Sequence, residues 1–233
     1  MSSFVRNATI VLVHGAWADG SCWQNVVLPL RKEGLEVTCA PIPLTSLTDD
    51  VAALQHVLER TSGPAVLVGH AYGGAVIAGP NDARVRSLVY IAALAPAESE
   101  TVADVFYRAK PHPLAPSLEP DVHGLIWMPE GGFAQAVAHR ASPEETTILE
   151  AAQRPIAVKC IQEKAPVPTW KTKPSWFLLA AEDRMIAPET QRYMADRMGA
   201  KIRTHDVDHS PMHTAPDVVI SVILEAAHET LAS

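Results

Sequence analysis

The run VLVGHAYGGAV, residues 66–76, joins an apolar, β-branched segment to a knot of small residues and then to a helix-compatible segment. Such a junction suits a buried strand that turns sharply into a helix. Within it, Gly69-His70-Ala71-Tyr72-Gly73 matches G-x-S-x-G everywhere but the centre. Small residues around a tight turn let the central side chain stand clear above a sheet and aim the next backbone N–H at the same space. Ala71, at that centre, carries no reactive group. A glycine-rich turn with no catalytic role is the lesser alternative on these residues alone. A phosphate loop does not fit, because neither G-x-x-x-x-G-K-[ST] nor G-x-G-x-x-G is present.

Other runs of the same kind recur along the chain. Ala8 to Val13, Ala65 to Val68, Ser87 to Ala92 and Ser175 to Ala180 read as buried parallel strands, with Leu35 to Cys39 and Lys201 to Thr204 as weaker candidates. Helical patterns lie between them. Residues 48 to 62 open with Thr48, Asp49 and Asp50, place Val51, Leu54 and Leu58 on one face and end at Gly63. A second helix runs from about Asp217 to Leu231, with Pro216 suited to its first turn and an apolar stripe of Val218, Val219, Val222 and Ile223. This alternation predicts an α/β fold, an open and mostly parallel sheet flanked by helices. Sites in such sheets lie at the carboxyl ends of the strands. Residues 97–173 interrupt the alternation and are expected to form a strand-free, mostly helical cap inserted in a single domain spanning 1–233.

Composition limits the partners. With 19 basic against 26 acidic residues and a formal charge of −7, the chain offers no basic stripe for nucleic acid. A small neutral or weakly polar molecule fits better, and no cofactor is implied. Cys22, Cys39 and Cys160 are odd in number and widely spaced, which argues against a disulfide framework or a cysteine zinc site. The apolar run that stops at His14 is too brief for a signal h-region or a membrane span, so a cytoplasmic protein is expected.

Two distant segments give the elbow a context. EDRMIAP puts Glu182 and Asp183 at a strand's carboxyl end, and DVDHSPMHTAP puts His209 in the loop before the last helix. Strand alternation turns Glu182 away, leaving Asp183 as the acid and His209 as the base. His205, His209 and His213 are four apart, the spacing of a helical metal stripe, but Pro211, Asp206 and Asp208 argue for loop, and no H-E-x-x-H is present, so no metal site is assigned. In VLVHGAWADGSCW, the loop after His14-Gly15 offers a backbone N–H, that of Ala16, to pair with the Tyr72 N–H as an oxyanion hole.

HGAWADGSCW, GHAYGG, EDRMIAP and DHSPMHTAP together resemble the α/β-hydrolase superfamily over essentially the whole chain. The likeness is to the compact esterase branch that holds plant methylesterases, hydroxynitrile lyases and bacterial pyrethroid-type carboxylesterases. The resemblance implies a serine-type carboxylesterase acting on a small-molecule ester, with Asp183 and His209 as triad partners and Ala16 and Tyr72 as oxyanion donors. Trp17, Trp127, Met128 and Phe133 are candidates for an apolar wall over the substrate.

Ala71 departs from that pattern, and three readings of it compete. It replaces a serine and disables turnover while leaving substrate binding; or it belongs to a naturally serine-free enzyme, similar to the methylketone synthases of the same branch that decarboxylate 3-keto acids; or the pocket is a small-molecule binding module.

Overall fold

The computed structural model describes residues 4–232. The chain begins with β1 (Thr9–Val13), α1 (Gln24–Lys32), β2 (Glu36–Ala40), α2 (Leu47–Glu59), β3 (Ala65–His70), α3 (Gly73–Ile77) and β4 (Val85–Ile91). There follow α4 (Val102–Phe106), β5 (Leu125–Ile126), α5 (Pro143–Ala151), β6 (Ile156–Ala157) and α6 (Val158–Gln162). Then come β7 (Ser175–Ala180), α7 (Pro188–Met198), β8 (Lys201–His205), α8 (Pro211–Thr214) and α9 (Pro216–Leu231). Six of the strands form one sheet in the order β2-β1-β3-β4-β7-β8, with every neighbouring pair parallel. All six strands read from the sequence are present, each within two residues of its expected limits.

The sheet is covered on both faces, which is why its central strands are continuous apolar runs rather than alternating ones. Along β1, Val11 and Val13 face the core shared with α2, α3 and α7, while Ile10 and Leu12 face the core shared with α1 and α9. β3 divides likewise, with Leu67 on one side and Val66 and Val68 on the other. The period-2 geometry of a strand sends successive residues of one sequence into two cores.

Helix boundaries follow their caps. α2 begins one residue earlier than its acids suggest, because the Ser46 hydroxyl accepts from the Asp49 N–H at 2.9 Å. It ends at Glu59 rather than Gly63. Gly63 serves a different purpose: a Cβ there would lie 2.2 Å from the Asn7 carbonyl oxygen. Pro216 opens α9, as its fixed φ and missing N–H allow.

Residues 97–173 differ from expectation in one respect. β5 and β6 pair antiparallel, Leu125 opposite Ala157 and Ile126 opposite Ile156, so the segment holds a short ribbon as well as helices. Two residues per strand are too few to leave a period in the sequence. Ser142 and Glu145 form a capping box around the start of α5, and Thr101 with Asp104 does the same for α4.

The junction between β3 and α3 admits little variation. A Cβ on Gly73 would sit 2.6 Å from the Val13 carbonyl oxygen and 2.7 Å from that of His14, both main-chain atoms. Gly73→Ala is therefore expected to lower the unfolding free energy by about 2–3 kcal/mol in urea titration. A loss under about 0.5 kcal/mol would show that the β1 backbone yields freely.

Candidate active site

Ala71 occupies the turn between β3 and α3 with φ at +48°, a left-handed conformation rare for a residue with a side chain. The turn is held by hydrogen bonds on both sides: the Ala71 carbonyl accepts from Gly74 at 3.1 Å and from Leu94 at 2.9 Å. The loop after β1 packs directly against it. A Cβ on Gly15 would lie 2.9 Å from the Ala71 Cβ, so only glycine allows this approach. Among the described residues, neither the Ala16 nor the Tyr72 N–H has an intramolecular acceptor.

His209 and Asp183 meet from the ends of different strands. His209 Nδ1 lies 2.8 Å from Asp183 Oδ2, and both side chains are buried. Asp183 Oδ1 accepts from the N–H groups of Met185 at 2.7 Å and Ile186 at 2.9 Å, while Oδ2 also accepts from Gln191 Nε2 at 2.8 Å. With four donors converging on it, the carboxylate has one orientation, and it fixes the imidazole tautomer with the proton on Nδ1 and the lone pair on Nε2. Glu182 points elsewhere, in a bidentate pair with Arg140 at 2.8 and 2.6 Å.

The backbone of His209 is held as firmly. His70 Nε2 donates to its carbonyl at 2.7 Å. Because a carbonyl only accepts, His70 carries its proton on Nε2, and burial keeps its pKa well below the usual histidine range. Its neutrality leaves no second positive charge beside His209. Asp208, fully buried, anchors the same loop by accepting from the Thr214 hydroxyl at 2.7 Å and from the Ser210 N–H at 3.2 Å; its other oxygen accepts from the Arg140 N–H at 3.0 Å. The sequence marked Asp208 only as a loop former.

An enclosed cavity gathers these parts. Ala16, Trp17, Ala71, Tyr72 and His209 all line it, together with apolar side chains such as Phe106, Ile126, Ile156 and Met185. A neighbouring cavity shares Ala16, Trp17, Ala71 and His209 and is closed by Phe133, Val137, Leu149 and Met212. Among the described residues, no arginine or lysine lines either one. Trp17 stands between the two, at φ +60°, with its indole Nε1 donating to the Ile126 carbonyl at 3.0 Å.

Two of the expected wall residues are not at this wall. Trp127 is 46% exposed, and its indole donates to Asp121 at 3.2 Å on the surface. Neighbours on an extended chain point opposite ways, so with Ile126 turned into the cavity Trp127 faces out. Met128 is buried but lines neither cavity; its main chain is clasped by the Gln153 amide, and its sulfur occupies the space a side chain on Gly132 would need. The sequence singled out the large aromatic and missed the isoleucine beside it.

The family model for the alpha/beta hydrolase family matches residues 10–222. The chain belongs to the alpha/beta hydrolase family. Among curated members, it is similar to Methylesterase 3 of Arabidopsis thaliana, at 24% identity over 98% of this chain and 99% of that one. It is also 32% identical to a carbendazim hydrolyzing esterase from Nocardioides sp., over 45% of this chain. That match spans about half of the carbendazim esterase's length. Among solved structures, a pyrethroid hydrolase from Sphingobium faniae superposes with a TM-score of 0.82 at 20% identity, covering 95% of this chain and 97% of that one. Among the described residues of this chain, no helix is long and apolar enough to cross a membrane.

Proposed function

We propose that the site is that of a serine-type carboxylic ester hydrolase whose nucleophile position holds alanine, so that the polypeptide binds a small apolar ester without turning it over. The observation that carries this reading is the buried His209–Asp183 pair, its carboxylate held by three further donors, beside the strained turn that presents Ala71. A pocket that only binds would need no such pair.

The mechanism follows for the Ala71→Ser protein. His209 Nε2 takes the hydroxyl proton as the serine oxygen bonds to the ester carbonyl carbon, and the Ala16 and Tyr72 N–H groups receive the developing oxyanion. Asp183 stabilises the imidazolium. Collapse breaks the bond to the alkoxy oxygen, which leaves as alcohol with the proton from His209. Water then attacks the acyl group by the same steps in reverse order and frees the acid. With alanine at position 71 the first bond cannot form.

The composition of the walls favours this reading over 3-keto acid decarboxylation. A keto acid would bring a carboxylate into a cavity whose described lining holds no arginine or lysine to receive it, at a desolvation cost of several kcal/mol unless a histidine there is protonated. A neutral ester incurs no such cost.

Labelling tests the assignment. A fluorophosphonate ester is expected to add one phosphonyl group to residue 71 of the Ala71→Ser protein and none to the unaltered chain, as read by peptide mass spectrometry. An adduct on another residue, or none on either protein, would contradict it.

The walls give a separate expectation. Titration of the unaltered protein with p-nitrophenyl butyrate should show affinity falling about tenfold for Phe106→Ala and for Phe133→Ala, since each loses roughly 1.5 kcal/mol of apolar contact. Trp127→Ala should leave affinity unchanged. Loss of affinity in Trp127→Ala alone would relocate the substrate to the outer face.

A further inference from the structure

A fully buried carboxylate is hydrogen-bonded to the tyrosine of the elbow. Asp50, in the first turn of α2, is 0% exposed. Its Oδ2 accepts from the Tyr72 hydroxyl at 2.6 Å and lies 3.6 Å from Cys160 Sγ, and its Oδ1 accepts from the Leu44 N–H at 2.7 Å. No basic side chain is among these partners. A buried acid supported only by neutral donors is costly to keep, and burial indeed raises the Asp50 pKa. Leu44 is itself held in a left-handed conformation, φ +62°, which turns its N–H toward Asp50.

Each partner leads to the active site. Tyr72 follows Ala71, and its backbone N–H is the second oxyanion donor of the proposed mechanism. The Leu44 carbonyl accepts from the Ala157 N–H at 3.0 Å, and Cys160 lies on α6. Ile156 and Ile161, adjacent in sequence to Ala157 and Cys160, line the cavity. One carboxylate therefore joins the oxyanion turn to the wall that covers it.

We infer that Asp50 is a positioning residue: by anchoring the Tyr72 phenol, it fixes the peptide plane whose N–H receives the oxyanion and sets that donor's place relative to the cavity wall formed by Ile156 and Ile161. This rests on the proposed role of the Tyr72 N–H. A ring released from this anchor and displaced from its seat would pull on the Tyr72 Cα, and misplacement of a catalytic donor by an ångström costs far more in rate than in ground-state binding.

The test has two arms. In the first, tripropylphosphine oxide, a neutral ligand with a strongly accepting oxygen, is bound to the unaltered protein and to Asp50→Asn and Tyr72→Phe, and the downfield displacement of its bound ³¹P resonance is read together with the Tyr72 amide proton. The displacement is expected to fall by about half when one of the two donors is misaligned, and the Tyr72 amide proton to move upfield. In the second, the same substitutions are placed in the Ala71→Ser protein, where kcat for p-nitrophenyl butyrate should fall by about tenfold or more with KM within about twofold. Tyr72→Phe removes a single oxygen and keeps Asp50 two other donors, so it decides the matter even if Asp50→Asn does not fold. An unchanged ³¹P displacement in Tyr72→Phe would overturn the inference, as would equal losses in kcat and affinity. If Ala71→Ser hydrolyses no ester, the proposed function falls, and the phosphine oxide arm still decides the role of Asp50.

Discussion

Ala71→Ser is expected to raise kcat for an activated ester by about 10⁶, or roughly 8 kcal/mol of barrier, judged by the loss that follows removal of a serine nucleophile elsewhere. So large an effect is reasonable here because little else needs to be built. The turn is already in the left-handed conformation that lifts the side chain clear, His209 is already in the tautomer that leaves Nε2 free to accept a proton, and the two candidate oxyanion N–H groups have no acceptor among the described residues. A hydroxyl adds only one heavy atom to Ala71, whose side chain lines the cavity, so it can be accommodated without moving the fold. A gain below about 10² would mean that the remaining parts are not disposed for acyl transfer.

The second large effect falls on Asp183. In the Ala71→Ser protein, Asp183→Asn should lower kcat by about 10⁴. The reason lies in the four donors around the carboxylate. Met185 and Ile186 require an oxygen at the Oδ1 position, so the amide oxygen of asparagine would sit there and its NH₂ would face His209 Nδ1 and the Gln191 amide. The imidazole would then have to accept at Nδ1 and carry its proton on Nε2, where it cannot take one from serine. Gln191 has no easy way to adapt, because its oxygen accepts from the Ala180 N–H at 3.1 Å and its NH₂ also donates to the Ile186 carbonyl at 2.9 Å. The clash of donors should cost about 1–3 kcal/mol of stability as well, seen as a lowered Tm. Glu182→Gln, which disturbs a half-exposed ion pair with Arg140 and a longer contact with His139, serves as the control and should leave kcat within about twofold. An Asp183→Asn protein that retains its rate would remove Asp183 from the mechanism.

What the sequence made legible, and what it did not, divides along physical lines. The strands were legible because a sheet covered on both faces forces continuous apolar runs: β3 has no polar position before His70 at its carboxyl end, and β7 none after Ser175 that breaks its run WFLLA. Asp183 and His209 could be read because each belongs to a short motif at a strand terminus, where position along the sheet decides what meets what. Asp50 was read only as an acid favouring a helix N-terminus. Its burial depends on Tyr72 and Cys160, 22 and 110 residues away, and no local pattern encodes such a meeting. Trp127 and Ile126 were misranked for a related reason: which of two neighbours faces the cavity is set by a ribbon pairing with Ile156, 30 residues on, that is too short to leave a period.

The most direct measurement pairs the unaltered protein with Ala71→Ser, purified alike, on a panel of p-nitrophenyl, methyl, benzyl and lactone esters together with one 3-keto acid. The account predicts several orders of magnitude of new ester turnover in the serine protein, abolished by His209→Ala, and no consumption of the keto acid by either. Keto acid consumption by the unaltered chain that depends on His209, with serine adding no ester turnover, would contradict it and make the missing hydroxyl part of the function.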